Sequence, residues 1–228
     1  MLTVISSAAY AARKALLVQG LDVKHNHLNE VIAGLMGYRT YSALKIEEAD
    51  TRLDAHLVDA DLLVLNHPMA VNRCIDLGLP AEVVEPLLTA CISALRAAAG
   101  IPVFVGIDDF YFSHAQERME QEIDTFDSVG DATASSNATF EDAAELDQTP
   151  EISGDLWVTQ GDWWIQASGT LTGSYDPDGD RMYSSVNAFQ VGCRLNYEKA
   201  GRAGLIFRDS DEGDFDTTEI DEFEGYDF

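Results

Sequence analysis

Ala188-Phe189-Gln190-Val191-Gly192-Cys193-Arg194-Leu195 is the stretch on which the fold turns. Phe189, Val191, Cys193 and Leu195 are apolar, with Gln190 and Arg194 set between them. Apolar residues at every second position put one face of a strand in a core and the other in water, as in antiparallel sheets. The stretch ends a longer run over 182–195. Before it, Asp176-Pro177-Asp178-Gly179-Asp180 is a strong turn signal, and 170–175 reads as the strand on its other side. Upstream, 156–160 and 163–171 flank the tight-turn pair Gly161-Asp162. Residues 155–208 are therefore expected to form an antiparallel meander.

Moving towards the N-terminus, the pattern changes over 51–128. Leu62-Leu63-Val64-Leu65 and Pro102-Val103-Phe104-Val105-Gly106-Ile107 read as short, fully buried strands. Between them lie a helical stretch over 70–78 and an amphipathic stripe of Val83, Val84, Leu87, Leu88, Cys91 and Leu95, interrupted at Pro86. After them Ala115, Met119, Ile123 and Phe126 mark one helix face. This order predicts a small α/β unit with parallel strands. Two strands alone leave too much unpaired edge, so the unit needs a further sheet, and the meander is expected to supply it.

The first 50 residues read as helical. Ala9, Ala12, Leu16 and Leu17 fall at helical spacing over 6–19, with Gly20 where a glycine ends a helix. Leu28, Val31, Ile32, Leu35 and Met36 follow i, i+3, i+4, i+7, i+8, with Asn26 available as N-cap and Gly37 as the stop. A third helix over 40–45 places Tyr41 and Leu44 inward. The expected fold class is α+β: an N-terminal three-helix module, a small α/β unit completed by an antiparallel β-meander, and an acidic C-terminal tail.

Gln19-Gly20-Leu21, His25, Glu30, Val31-Ile32, Ala33, Gly37-Tyr38-Arg39, Tyr41 and Leu44 stand in a spacing that resembles the small helical domain of bacterial proteins known as glyoxalase-related. Asn29, Thr40 and Tyr41 depart from the Leu, Asp and Trp usual there. The resemblance covers about 40 of the 228 residues and implies a bacterial source and a three-helix fold. It implies little about activity. A glyoxalase-type fold holds its metal with His and Glu on strands, and the β-rich region has no His and only Glu151 and Glu198.

Charge divides the chain further. Against 14 Lys plus Arg stand 40 Asp plus Glu, a formal charge of −26. Residues 101–150 carry 1 basic and 12 acidic groups, and 209–228 carry none and 10. A compact surface of one sign repels itself, whereas arms and tails stay solvated. These blocks give the expected boundaries: a helical module over 1–50, the α/β unit over 51–128, an acidic linker or arm over 129–154, the β region over 155–208 and the tail over 209–228. The charge also excludes direct nucleic-acid binding, which requires a basic face.

No run reaches the ~18 apolar residues of a membrane span, so no membrane partner is expected. The opening residues lack the basic start of a signal peptide. Cys74, Cys91 and Cys193, widely spaced and odd in number, read as buried thiols of a reducing, cytoplasmic compartment.

Chemistry-bearing patterns are sparse. His25 and His27 beside Glu30 could ligate a metal, but two residues apart on a helix they face about 200° apart. Asp176, Asp178 and Asp180 share the spacing of a calcium loop, yet Arg181 and Asn187 stand where that loop needs Gly and Glu. Asp108 and Asp109 follow one predicted strand and His67 another, where open α/β sheets hold ligands, so these three form a possible ligand site. The competing reading makes them helix starts and caps. There is no nucleophile triad, P-loop or GxGxxG. No catalytic residue, metal or cofactor is assigned.

Two features suggest a binding role. Trp163 and Trp164 are adjacent on a strand and point to opposite faces, which puts one of them on a surface. In the tail, acids alternate with Phe215, Ile220, Phe223, Tyr226 and Phe228. Acids interleaved with aromatics make a segment that folds on a basic, grooved partner. The partner-binding residues are therefore expected to be Phe215, Ile220, Asp221, Glu222, Phe223, Trp163 and Trp164, and the partner a basic protein surface. The expected function is a non-catalytic interaction or regulatory protein. The alternatives are a polyanionic mimic of nucleic acid that inhibits a DNA- or RNA-binding protein, and an enzyme acting near His67, Asp108 and Asp109. A tail that folds back on its own domain is a further possibility, favoured by the nearby Lys199, Arg202 and Arg208.

Overall fold

The computed structural model describes residues 1–175 and 186–220. It is an α+β protein, as expected. Its residues fall into two compact units, each discontinuous in sequence. The first comprises Met1–Phe110, Gly154–Trp163 and Tyr197–Phe207; the second comprises Tyr111–Ser153, Trp164–Asn196 and Arg208–Phe228.

The first unit opens with α1 (Leu2–Val18), α2 (His25–Leu35) and α3 (Tyr41–Glu48). All three are longer or shifted relative to the sequence reading. α1 begins at residue 2 instead of 6, and α2 begins at His25 with Lys24 before it and no side-chain cap, so Asn26 is inside the helix. α1 buries Ile5, Ala8, Ala9, Ala12 and Leu16, and its small residues let α5 (Ala81–Ala99) pack closely. α2 buries Leu28, Val31, Ile32 and Leu35 and lies against α4 (His67–Asp76). At their crossing a Cβ on Gly34 would come within 3.0 Å of the Ala70 backbone. Thr40 caps α3 by accepting from the Ala43 N–H at 3.1 Å.

After a single 3₁₀ turn at Leu57–Asp59 comes β1 (Leu62–Leu65), then α4, α5 and β2 (Val103–Val105). β1 and β2 pair in parallel, Leu63 opposite Val103, and α4 and α5 supply the crossover that parallel pairing requires. Asn66 caps α4, accepting from the Met69 N–H at 2.9 Å, with Pro68 in the first turn. Pro86 does not interrupt α5. The carbonyl it leaves unbonded is that of Glu82, in the exposed first turn, where water can replace the missing N–H. β2 is shorter than read because Gly106, at φ +87°, turns the chain into α6 (Gly106–Phe110).

The other edge of β1 is closed by β9 (Gly204–Asp211), antiparallel, with Leu62 opposite Leu205. The expected completion of the α/β strands by the later antiparallel region is thus present. Residues 156–160 are not the strand expected there. They form a turn in which Trp157 donates its indole N–H to the Val64 carbonyl at 2.8 Å and Thr159 donates to the Asp155 carbonyl. Gly161-Asp162 therefore leads into a single strand instead of joining two.

The second unit begins with a π-helical turn at Tyr111–Ala115, followed by α7 (Gln116–Ile123) and α8 (Asp127–Ala134). The helix face read through Phe126 ends at Ile123, and Phe126 precedes α8. The segment 129–154, expected to be an arm, is ordered into α8 and the short strands β3 (Ala138–Thr139), β4 (Glu145–Leu146) and β5 (Glu151–Ile152). Its few apolar residues do the anchoring: Val129, Ala138, Ala144 and Leu146 are all buried. β4 and β5 add to β6 (Asp162–Thr172), and β3 pairs with β7 (Ser174–Tyr175). A Cβ on Gly169 would lie 2.2 Å from the Glu145 carbonyl oxygen, so only glycine admits β4 there. β8 (Ala188–Ala200) buries Phe189, Val191, Cys193 and Leu195 as its alternation requires, and β10 (Thr218–Glu219) pairs with its start.

Because Ile32 is wholly buried in the helical core while Lys24 is exposed, Ile32→Ala should cost about 2–5 kcal/mol and Lys24→Ala little. Urea melts of the two variants check this.

Candidate functional site

As far as Ile220 the tail is docked on the sheet, with Thr218 and Glu219 paired to β8. Phe215 packs on Gly192 of β8, so close that a Cβ there would meet its Cδ2 at 2.3 Å. Asp214 pairs with Arg194 at 2.9 Å, which together with an acceptance from Gln166 holds its carboxyl below the usual range. The Ile220 N–H donates to the Ala188 carbonyl at 3.0 Å. Asp221, Glu222 and Phe223 lie outside the described residues, as do Tyr226, Phe228 and the turn with Asp176, Asp178 and Asp180.

Of the two tryptophans, Trp163 is fully buried, with its indole N–H on the Gly154 carbonyl at 3.0 Å and rings of Phe110 and Tyr197 about it. Trp164 is half-buried, and the Arg194 guanidinium lies 4.6 Å from its ring centre. The opposite-faces reading thus distinguishes a core residue from a capped surface one.

His67, Asp108 and Asp109 follow the carboxyl ends of β1 and β2. Asp109 is committed structurally: its carboxylate accepts the Val105 N–H at 2.7 Å and pairs with Arg96 at 3.1 Å. His67 opens α4, and Asp108 is exposed in α6. Among the described residues no three His, Cys, Asp or Glu side chains come together as a metal site would require. His25 is the first residue of α2, and Glu30 ties that helix to its neighbours. Glu30 accepts the Tyr41 N–H at 3.1 Å and pairs with Arg73 at 2.7 Å.

Acidity is concentrated in the second unit. Its segments hold 4 basic and 24 acidic side chains, a net −20, while the first unit's hold 10 and 16, a net −6. Several of these carboxylates are held in place. Asn196 donates to Asp209 at 2.8 Å and Asp211 at 2.7 Å, and Ser168 donates to Asp147 at 2.5 Å.

The first unit contains a feature that sequence reading missed. A cavity of about 640 Å³ is lined by Ala43, Ile46, Glu47, Asp50, Leu53, Ala55, the 157–161 turn, Lys199, Gly201 and Arg202. This volume lies within the roughly 300–1,000 Å³ of small-molecule sites. Lys199 is 7% exposed. It continues the inward alternation of β8 through Leu195 and Tyr197, so extending the period by two more pairs would have found it. Its Nζ donates to the Arg202 carbonyl at 2.8 Å, and among the described residues no carboxylate lies within ion-pair distance of it.

Burial pushes the Lys199 ammonium down to about 7, opposed by the more distant charges of Asp155 and Glu47. Glu47 has its own partners. The Tyr38 hydroxyl donates to it at 2.6 Å, Arg202 Nε is 3.7 Å away, and burial with this bond pushes the phenol up. Asp50 is paired with Arg52 at 2.6 Å. Gly201, at φ +64°, lets the 200–203 turn pass over Tyr38 and Leu57, where a Cβ would sit 2.9 Å from each.

No family model matches the chain, and neither do curated proteins or solved structures.

Lys199 makes stability depend on pH. Its folded pKa lies below the 10.5 of a free lysine, so between about pH 7 and 10.5 the unfolded chain binds the extra proton and stability rises with pH. The slope is at most ~1.4 kcal/mol per unit. The buried thiols act oppositely. Burial raises Cys74 to about 11 and Cys91 and Cys193 to about 12, so above pH 9.0 ionisation of the unfolded thiols lowers stability. In denaturant melts between about pH 7 and 8.5, the chain should therefore gain roughly 1–2 kcal/mol relative to Lys199→Met. Parallel pH dependence in the two proteins would refute the assignment.

Proposed function

We propose that the protein is a non-catalytic interaction or regulatory protein that engages a basic protein surface through its acidic second unit. The observation that supports this reading is the division of charge: that unit carries −20 of the chain's −26. Concentrated charge of one sign raises the encounter rate with an oppositely charged surface and disfavours acidic competitors. The docking of Phe215 on Gly192 moves the emphasis from a free tail to carboxylates displayed by a folded sheet. The exposed acids of the former arm, Glu141, Asp142 and Glu145, join Asp216 and Glu219 as contact groups.

In the same reading the N-terminal helices are a glyoxalase-related-like scaffold, and the protein works in the cytoplasm. There the free, buried Cys74, Cys91 and Cys193 stay reduced. No helix of the described residues is long and apolar enough to cross a membrane.

The test is capture of basic proteins by immobilised full-length chain, compared with a variant carrying Glu141→Gln, Asp142→Asn, Asp216→Asn and Glu219→Gln. Capture should fall about tenfold or more in the variant, and likewise when salt rises from about 0.05 to 0.5 M. Over that salt range the chain itself should become more stable, because screening relieves the second unit's self-repulsion. Salt-independent capture, or equal capture by the neutralised variant, would overturn the reading. A nucleic-acid mimic would show itself by competition: DNA would displace the captured protein.

A further inference from the structure

We propose that the cavity beside the 200–203 turn binds a small organic carboxylate with an apolar body, its carboxylate paired with the Lys199 ammonium. The charge that Lys199 brings to this cavity is unmatched. An ammonium has three N–H donors, and that of Lys199, almost wholly buried, uses one of them on the Arg202 carbonyl. A buried charge without a partner is costly, and a ligand that brings a carboxylate removes the cost.

The other charged groups of the lining do not compete for this role. Glu47 is engaged by Tyr38 and Arg202, and Asp50 by Arg52. The unmatched charge in the cavity is therefore positive, even though the chain as a whole is strongly acidic. That contrast matters: long-range electrostatics would repel an anion, so retaining a buried cation here serves a short-range, local contact.

The rest of the lining selects the ligand's body. Ile46, Leu53, Ala55 and Val158 are apolar, and Ile46 and Val158 are largely exposed, at 72% and 70%. Trp157 is held by its indole hydrogen bond to Val64, which fixes the ring as a wall. A short acyl or aryl chain would cover these side chains while its head reaches Lys199. The lowered proton affinity of Lys199 supports the same reading, since a bound carboxylate would restore the charged form.

The experiment uses the full chain and three probes of equal length: hexanoate, 1-hexanol and hexylamine. Titration calorimetry should show one hexanoate per chain, bound at least about tenfold more tightly than hexanol, the value of a charge-assisted hydrogen bond, with hexylamine weaker still. Lys199→Met, close in length and apolar, should bring hexanoate down to the level of hexanol. A second measurement needs no variant: hexanoate should slow acetylation of Lys199 by acetic anhydride about fivefold or more, read by peptide mass spectrometry, while leaving exposed Lys24 and Lys45 unaffected. Absence of hexanoate binding, equal affinity for acid and alcohol, a preference that survives Lys199→Met, or unprotected Lys199 would each overturn the proposal.

Discussion

Two backbone residue pairs, Leu62 with Leu205 and Leu63 with Gly204, hold the first unit together across more than half of the sequence. β1 and β2 are short, four and three residues, and a parallel pair of that length cannot stand alone. β9 gives β1 its second neighbour, and the placement of the chain around the cavity follows from that closure. The 200–203 turn that leads into β9 lies over Tyr38, whose hydroxyl accepts the Arg202 N–H at 3.2 Å. The last residues of β8 bring in Lys199, whose own N–H donates to the Gly161 carbonyl at 2.7 Å. More than half of the cavity's lining comes from residues beyond 156, in the 157–161 turn, the end of β8 and the turn that leads into β9.

This long-range closure also explains what could and could not be read from the sequence. The helices of the first 50 residues were legible because their apolar spacing is local: Leu28, Val31, Ile32 and Leu35 declare one face unaided. The strands at 62–65 and 103–105 were legible because uninterrupted apolar runs of that length are buried strands. The need for a third strand was also evident, from the edge that two would expose. Which residues supplied it depended on register and contact, which no local pattern encodes. The turn at 156–160 shows the limit. Its aromatic and β-branched residues suit a strand, but Trp157 reaches the Val64 carbonyl and Asp155 binds the N–H of Trp157 and the hydroxyl of Thr159, a set of bonds that a strand could not make.

The misreading of 129–154 has a different cause. Composition marks the segment as an arm, with acids outnumbering bulky apolar residues, yet it is held by few anchors that fall at the right places. Leu146 and Ala144 are buried, and Gly169 offers the open backbone against which β4 can pair. The tail is similar: Phe215 needs a residue without a side chain beneath it, and Gly192 interrupts the alternation of β8 at that point. In both cases the glycine sits on one segment and the partner on another, so neither segment alone reveals the contact. The candidate site divides in the same way. The tail's chemistry was visible as composition, whereas Lys199 became visible only as the next inward position of a strand whose apolar run had ended.

Burying a lysine costs desolvation free energy that burying an aromatic ring does not. Replacing a buried ion by an apolar side chain of similar volume is commonly neutral or stabilising, so fold stability alone does not explain the charge. Its neighbours could have neutralised it, yet Glu47 is turned to Tyr38 and Arg202, and Asp155 caps the turn through Trp157. The two carboxylates near enough to influence its protonation are thus both assigned elsewhere, while the cation keeps a single carbonyl partner. The second unit meanwhile accumulates negative charge at the surface, where solvent and salt screen it cheaply. The chain therefore combines a solvated excess of acid in one unit with an uncompensated buried base in the other. The first is suited to an extended partner surface, and the second to a ligand small enough to enter and bring its own countercharge.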